Sequence, residues 1–297
     1  MTETRTVNQI DLHLHTTASQ DGQYAPGELL ELCAEHHLRA VAFADHDSTA
    51  SVAEGVRLSP GFGMEFVPGV ELTTDRQGYE LHLLAYFVRP EERELIELLA
   101  EIARARAEQS RLRCERLRQL GFALDDARVL ALSGNKPPTA YPIFRAIMED
   151  PANRAFGPAE RYRTGDRARS PVYNFARDYF AKDQPAAVEV RSIDTTDAVR
   201  LVRRWRALPV LAHPGRTPIE LLDDLIAAGL AGLEVYNSSH TSEQTDACLR
   251  LARERRLLVT AGSDFHGPAI KPDVLLADLP YAGYDLYEKL RSAHAGP

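Results

Sequence analysis

What this 297-residue chain has little of narrows its chemistry early. It carries only three cysteines, Cys33, Cys114 and Cys248, widely spaced and with no CxxC pair. That disfavours both a disulfide framework and a thiolate metal site, and predicts free buried thiols in a reducing cytoplasm. No apolar run approaches the roughly 20 residues that span a bilayer, and Met1–Ile10 is too polar for a signal peptide. The GxxxxGK[ST] loop, the GxGxxG fingerprint and the GxSxG elbow are all missing, which argues against the common nucleotide-fold and serine-hydrolase chemistries. There is no repeat and no low-complexity tract. A formal net charge of −8 argues against broad binding to duplex nucleic acid.

What is present is an ordinary globular composition, 44% apolar and 26% charged, long enough for one large α/β domain or a domain with an insertion. The charge is unevenly spread. Residues 89–186 hold 18 basic and 15 acidic side chains, and the remainder holds 17 and 28. A slightly basic middle in an acidic frame suits a cationic lid over a metal-loaded site that takes small anions, although a solvated Arg/Glu helix face gives the same count.

Strand and helix patterns alternate at both ends. Strands are predicted over Val7–Leu14, Ala40–Ala44, Phe66–Leu72, Glu80–Val88, Val210–Ala212, Gly232–Tyr236, Leu257–Gly262 and Val274–Leu279. Helices are predicted over Gly27–His37, from Ser48 or Thr49 to Leu58, and over Thr196–Ala207, Pro218–Ala228, Ser242–Arg255 and Asp285–His294. Between these ends, Glu91–Leu120 reads as one long helix closed by Gly121, followed by shorter helices at Tyr141–Glu149 and Tyr173–Ala181. Repeated βα units imply parallel strands with right-handed crossovers. In a (β/α) barrel the catalytic groups converge at the C-terminal rim, and here the chemistry-bearing residues fall at the C-terminal ends of strands. They are His15, His46, Glu71, His213, Asp264 and His266.

His13 and His15 lie two apart in an apolar run, so on a strand both imidazoles share one face. Imidazoles mixed with carboxylates suit Mn, Fe or Zn, and a carboxylate can bridge two ions that share a hydroxide nucleophile. The segments Asp-Leu-His-Leu-His (11–15), Asp21-Gly22, Asp45-His46-Asp47, Gly69-Val70-Glu71, Leu81-His82-Leu83-Leu84, Ala212-His213-Pro214 and Gly262-Ser263-Asp264-Phe265-His266 together resemble the PHP (polymerase and histidinol phosphatase) family. The likeness is greatest to the subgroup acting on nucleoside 3′,5′-bisphosphates and short RNA 5′ ends. It implies a distorted (β/α)7 barrel of residues 1–88 and 187–297, with an inserted helical lid of residues 89–186. It also implies two or three divalent ions. His13, His15, Glu71 and Asp264 would hold the first. Glu71 would bridge to a second on His82 and His213, and Asp21, His46 and His266 would hold a third. Ser19-Gln20-Asp21-Gly22 has one residue more than the family's Ser-Asp-Gly. Asp45 and Asp47 are expected to orient the His46 ring.

The resemblance also places His240 near a substrate phosphate, as a contact or general acid. Arg216, three residues past His213, is placed as an anion fork. Lys136, Arg163 and Arg167 are expected to reach a second phosphate, although the insertion lacks the subgroup's Arg-Pro-His run. The expected activity is a metal-dependent phosphomonoesterase or phosphodiesterase in the cytoplasm, acting on a small phosphorylated substrate such as a nucleotide. Rival readings are a phosphatase of histidinol phosphate or another sugar or alcohol phosphate, an amidohydrolase, and a non-catalytic metal module. Amidohydrolases usually add a metal-bridging lysine late in a strand, and this chain has none so placed.

Overall fold

A computed structural model describes residues 8–188 and 193–296. Seven strands form one sheet in sequence order: β1 (Ile10–Leu14), β2 (Ala40–Phe43), β3 (Glu65–Arg76), β4 (Tyr79–Tyr86), β5 (Leu208–Leu211), β6 (Gly232–Asn237) and β7 (Leu258–Gly262). The sheet curls until its ends meet. The Asp264 amide donates to the His13 carbonyl and the His15 amide to the Phe265 carbonyl, each at 3.0 Å, which nearly closes a barrel. Val7, the predicted start of the first strand, lies outside the described residues.

One expectation about the strands fails. β3 pairs with β4 and β4 with β5 antiparallel, whereas β1–β2–β3 and β5–β6–β7 are parallel. The cause is a two-residue turn in which Gln77 (φ 55°) and Gly78 (φ 79°) are both left-handed, the backbone that joins tightly twisted hairpins. β3 consequently runs four residues past its predicted end at Leu72. The run Val274–Leu279 is not a strand either. Its polar groups are met by side chains instead of a ladder: Asn8 donates to the Ala277 and Leu279 carbonyls at 2.8 Å, and Asp11 accepts the Ala277 amide at 3.1 Å.

Helices α1 (Pro26–Glu35) and α2 (Val52–Leu58) follow β1 and β2, and Pro26 sits in the first turn of α1, where a missing N–H costs nothing. From α3 (Arg93–Gln119) the chain leaves the barrel wall. It runs through α4 (Asp126–Leu132), α5 (Ala140–Glu149), α6 (Gly157–Glu160) and α7 (Pro171–Tyr179), of which α4 and α6 were not anticipated. It returns with α8 (Thr195–Arg204), α9 (Ile219–Ala227), α10 (Ser242–Arg255) and α11 (Tyr284–His294).

The first half of α3 buries Leu95, Leu98 and Ile102 against barrel strands and α8–α10, in one cluster with Leu72, Leu83, Val199 and Leu233. Its second half buries Cys114 and Leu117 in a different cluster with Phe122, Ile143, Phe144, Tyr162 and Phe175. One helix of 27 residues, roughly 40 Å long, is thus embedded in two apolar cores. Each fully buried Leu or Phe in them contributes about 1.5–3 kcal/mol.

Candidate metal centre

The rim of the barrel gathers all nine residues expected to hold metal around Glu71. Its Oε1 lies 3.0 Å from His82 Nδ1 and 3.3 Å from His213 Nε2. Its Oε2 lies 3.2 Å from His13 Nε2, 3.4 Å from His15 Nε2 and 3.0 Å from His46 Nδ1. Asp264 Oδ1 stands 3.2 Å from His15 Nε2. Asp21 Oδ2 lies 3.8 Å from His46 Nε2 and 3.9 Å from His266 Nε2.

Glu71 Oε1 is hydrogen-bonded to His82 and His213, but around Oε2 proximity is not hydrogen bonding. His13 Nε2, both nitrogens of His15, His46 Nδ1, Glu71 Oε2 and Asp21 Oδ1 are buried and make no hydrogen bond. Buried polar atoms without partners are rare and costly, about 1–3 kcal/mol each. Lone pairs aimed at a common centre rather than at each other are what cation ligands look like before the cation binds, so the residues present fit divalent metal. Three overlapping groups have ligand atoms within 4.8 Å of one another: His13, His15, Glu71 and Asp264; His15, Asp21, His46 and His266; and His46, Glu71 and His82. The first is the set expected for one ion. The second is the expected third-ion set with His15 added. In the last, His46 stands where His213 was expected, although His213 still contacts Glu71.

Local sequence explains the convergence. Asp45 accepts from the Thr16 amide (2.7 Å) and hydroxyl (2.8 Å), from both Ser19 groups and from the Ser51 hydroxyl, wrapping the loop that carries Asp21 around one buried carboxylate. Gly22 is required there, because a Cβ would sit 1.9 Å from the Thr16 carbonyl oxygen. Asp47 binds the Thr73 amide at 2.7 Å and the buried guanidinium of Arg106 on α3 at 3.1 Å. Neither acid orients the His46 ring, contrary to expectation. Both are committed to fixing the loops on either side of it.

Sequence reasoning missed Glu234. It is fully buried on β6, accepts from His13 Nδ1 at 2.8 Å, and also takes the His213 amide and the Asn237 side chain, each at 2.9 Å. A bond at Nδ1 leaves Nε2 of His13 as the free donor atom. Gly262 makes room for it, since a Cβ there would lie 2.3 Å from His13 Cβ and 2.4 Å from Glu234 Oε1. His213 (φ 31°) and Asp264 (φ 59°) are held in left-handed backbone, strain of a kind that clusters at functional sites. Glu80 was missed as well. It lies 3.6 Å from His82 Nε2 and 3.2 Å from the buried Arg113 of α3.

Without metal, these groups hold their protons unevenly. Burial pushes His13 down, but the carboxylates of Glu234 and Glu71 outweigh it and leave the imidazole well above its usual range. Burial likewise lowers His82, and Glu71 and Glu80 lift it to about 10. His46 goes the other way, to about 4, chiefly through burial. His266 is also depressed, by burial and by its neighbours His15 and Lys271. Burial raises Glu71 and Asp264, yet the surrounding His13, His46 and His82 hold the former, and Lys271 and His266 the latter, well below the carboxylate range.

The expected substrate contacts fare differently. Both His240 nitrogens are engaged: Nε2 accepts the Gly215 amide and Nδ1 donates to the Val235 carbonyl, each at 3.0 Å. Through these two bonds the ring braces the turn carrying Arg216. Arg216 is exposed, its guanidinium 5.7 Å from the ring centre of Tyr173 on α7. Lys136 donates to the Thr17 and Ala18 carbonyls at 3.0 and 2.7 Å, docking the helical segment on the loop that carries Asp21. Arg163 donates to the Met148 carbonyl at 2.8 Å, and Arg167 pairs with Asp178 at 3.2 Å, so the contacts of both lie inside the helical segment.

Comparison with known proteins agrees with this geometry. The PHP domain profile matches residues 11–132. A phosphoribosyl 1,2-cyclic phosphate 1,2-diphosphodiesterase of Eggerthella lenta is 31% identical over 262 residues, 86% of this chain and 94% of that protein. The chain belongs to the PHP family. This PHP protein is also similar to a 3′,5′-nucleoside bisphosphate phosphatase of Chromobacterium violaceum, 28% identical over 87% of each chain. It is similar to a 5′-3′ exoribonuclease of Haemophilus influenzae as well, 27% identical over 87% of this chain and 90% of that one. Among solved structures, a candidate metal-dependent phosphoesterase from Bifidobacterium adolescentis superposes with a TM-score of 0.77 at 26% identity, covering 96% of each chain. An amidohydrolase from Chromobacterium violaceum, solved with sulfate and no metal, gives 0.78 at 26% identity over the same shares. The fold is therefore a barrel of the PHP type, and the PHP protein is a phosphoric ester hydrolase dependent on divalent metal. Among the described residues, no helix is long and apolar enough to cross a membrane.

Proposed function

We propose that this PHP protein hydrolyses a small phosphorylated nucleotide, such as a nucleoside 3′,5′-bisphosphate or the end of a short oligonucleotide, with two or three Mn, Fe or Zn ions. The observation that carries the reading is Glu71 Oε2, buried and unbonded, with three imidazole nitrogens within 3.4 Å. His13, His15, Glu71 and Asp264 would hold one ion, Glu71 with His82, His46 and His213 another, and Asp21, His46 and His266 a third. When bound, the ions would activate water near neutral pH and offset charge on the attacking and leaving oxygens.

The chain's own groups do the rest. Three ligand carboxylates, Asp21, Glu71 and Asp264, only partly neutralise two or three dications, so the loaded site attracts a dianionic phosphoryl group. Glu234 keeps His13 Nε2 aimed inward, and Asp45 holds the Asp21 loop. Arg216 supplies a guanidinium at the mouth with no acidic partner among the described residues. The helical segment docks over the rim through Lys136, which favours small or terminal phosphates. Three free, buried cysteines fit a reducing, cytoplasmic setting.

A second reading, a cyclic phosphodiester of a phosphorylated sugar, is favoured by the Eggerthella relative. One experiment decides between them: metal analysis of the purified protein, with phosphate release followed across nucleoside bisphosphates, short 5′-phosphorylated RNAs, ribose cyclic phosphates and histidinol phosphate. Two or three ions per chain and preferred turnover of the first two classes is the expected result. A metal-free protein, or one inert on the whole panel, removes the proposal.

A further inference from the structure

We propose that Lys271 is a substrate contact whose ammonium donates to an outer oxygen of the phosphoryl group, an assignment that rests on the phosphoesterase reading above. Lys271 follows β7, and its Nζ lies 2.7 Å from Asp264 Oδ2. The other oxygen of that carboxylate faces the pocket, 3.2 Å from His15 Nε2 and 3.7 Å from His13 Nε2. The ammonium is therefore a single carboxylate away from the place where cations, and the phosphoryl group they attract, would sit.

Three features turn proximity into a role. An ammonium has three N–H donors, and among the described residues only one is used, on Asp264. The side chain is 31% exposed at the rim, unlike the buried imidazoles behind it, so the spare donors are within reach of an incoming ligand. The loop is also fixed in place. The Lys271 amide donates to the Gly267 carbonyl at 2.9 Å, the Ala269 amide to Gln23 Oε1 at 2.9 Å, and Asp273 accepts the Ser170 hydroxyl from the start of α7. Lys136, the lysine the sequence placed at a phosphate, commits two of its three donors to backbone carbonyls. A compact ammonium anchored by one carboxylate oxygen is well suited to meeting one phosphoryl oxygen as a point charge.

The test uses Lys271→Met and Lys271→Arg in the metal-loaded enzyme, with inorganic phosphate as probe. Metal content is measured first, then phosphate affinity by calorimetry, then KM and kcat on the best substrate of the panel. Lys271→Met should keep its metal, because Asp264 loses a competing positive neighbour. It should bind inorganic phosphate about tenfold more weakly and show a raised KM, while Lys271→Arg recovers part of both. Unchanged phosphate affinity overturns the proposal, as does a fall in metal content that accounts for the loss, which would make Lys271 a strut of the cation site. Phosphate binding decides this even if no panel member is turned over, an outcome that counts against the substrate reading alone.

Discussion

Glu234 accepts from Nδ1 of His13, and that bond decides which nitrogen of the ring is offered to a cation. Glu234→Gln keeps the shape and one acceptor oxygen, but its amide nitrogen cannot accept from the His213 amide and Asn237. Metal affinity should fall about 10–100-fold, read by competition with a chelator, while far-ultraviolet circular dichroism stays native. An affinity equal to wild type would deny Glu234 its positioning role. The ligands were legible in the sequence because His-x-His on a strand and His or Asp at strand ends form a pattern. Glu234 was not, because one acid in Gly232–Asn237 looks like any half-buried strand residue, and its task depends on Gly262 of the neighbouring strand. Lys271 hid for a similar reason: nothing local marks a loop lysine whose partner is seven residues upstream. His240, by contrast, was conspicuous, yet its nitrogens serve the backbone.

Helix α3 and the β3–β4 hairpin carry the connection between the helical segment and the site. The length and amphipathic pattern of α3 were readable, but the antiparallel turn was not. Gln77 in left-handed backbone gives a far weaker signal than the Asn or Asp usual at that position. That turn is what brings Glu80 and His82 beneath α3, where Arg113 meets Glu80 and Arg106 meets Asp47 and Thr73. Removing one partner of a buried pair strands the other charge. Arg106→Met should therefore cost about 3–5 kcal/mol in denaturant unfolding and lower cation content, since Asp47 adjoins His46. Arg111→Met on the solvent face, where the partners are Glu108 and Glu115, is the control and should leave the midpoint nearly unmoved. Equal effects from the two would show that burial of the α3 arginines does not matter.

For the molecule as a whole, cation loading and proton release are linked. A ligand imidazole must be neutral, yet His13 and His82 are lifted above their usual range and are protonated at pH 7 in the metal-free protein. His46 and His266 are depressed and have no proton to lose. Loading at pH 7 should therefore release the protons held by His13 and His82, and affinity should climb as pH rises through neutrality toward 10. Calorimetry in buffers of different ionisation enthalpy measures both, and a pH-independent affinity would contradict the assignment.

The placement of α3 in two apolar cores has its own consequence for how the helical segment can move. A helical segment mounted on a beam that is sunk at both ends does not swing like a door, because any rotation would drag Leu95, Leu98 and Ile102 into water. The contacts at Lys136, Ser170 and Arg216 then hold that segment to the barrel as fixed ties rather than as a latch.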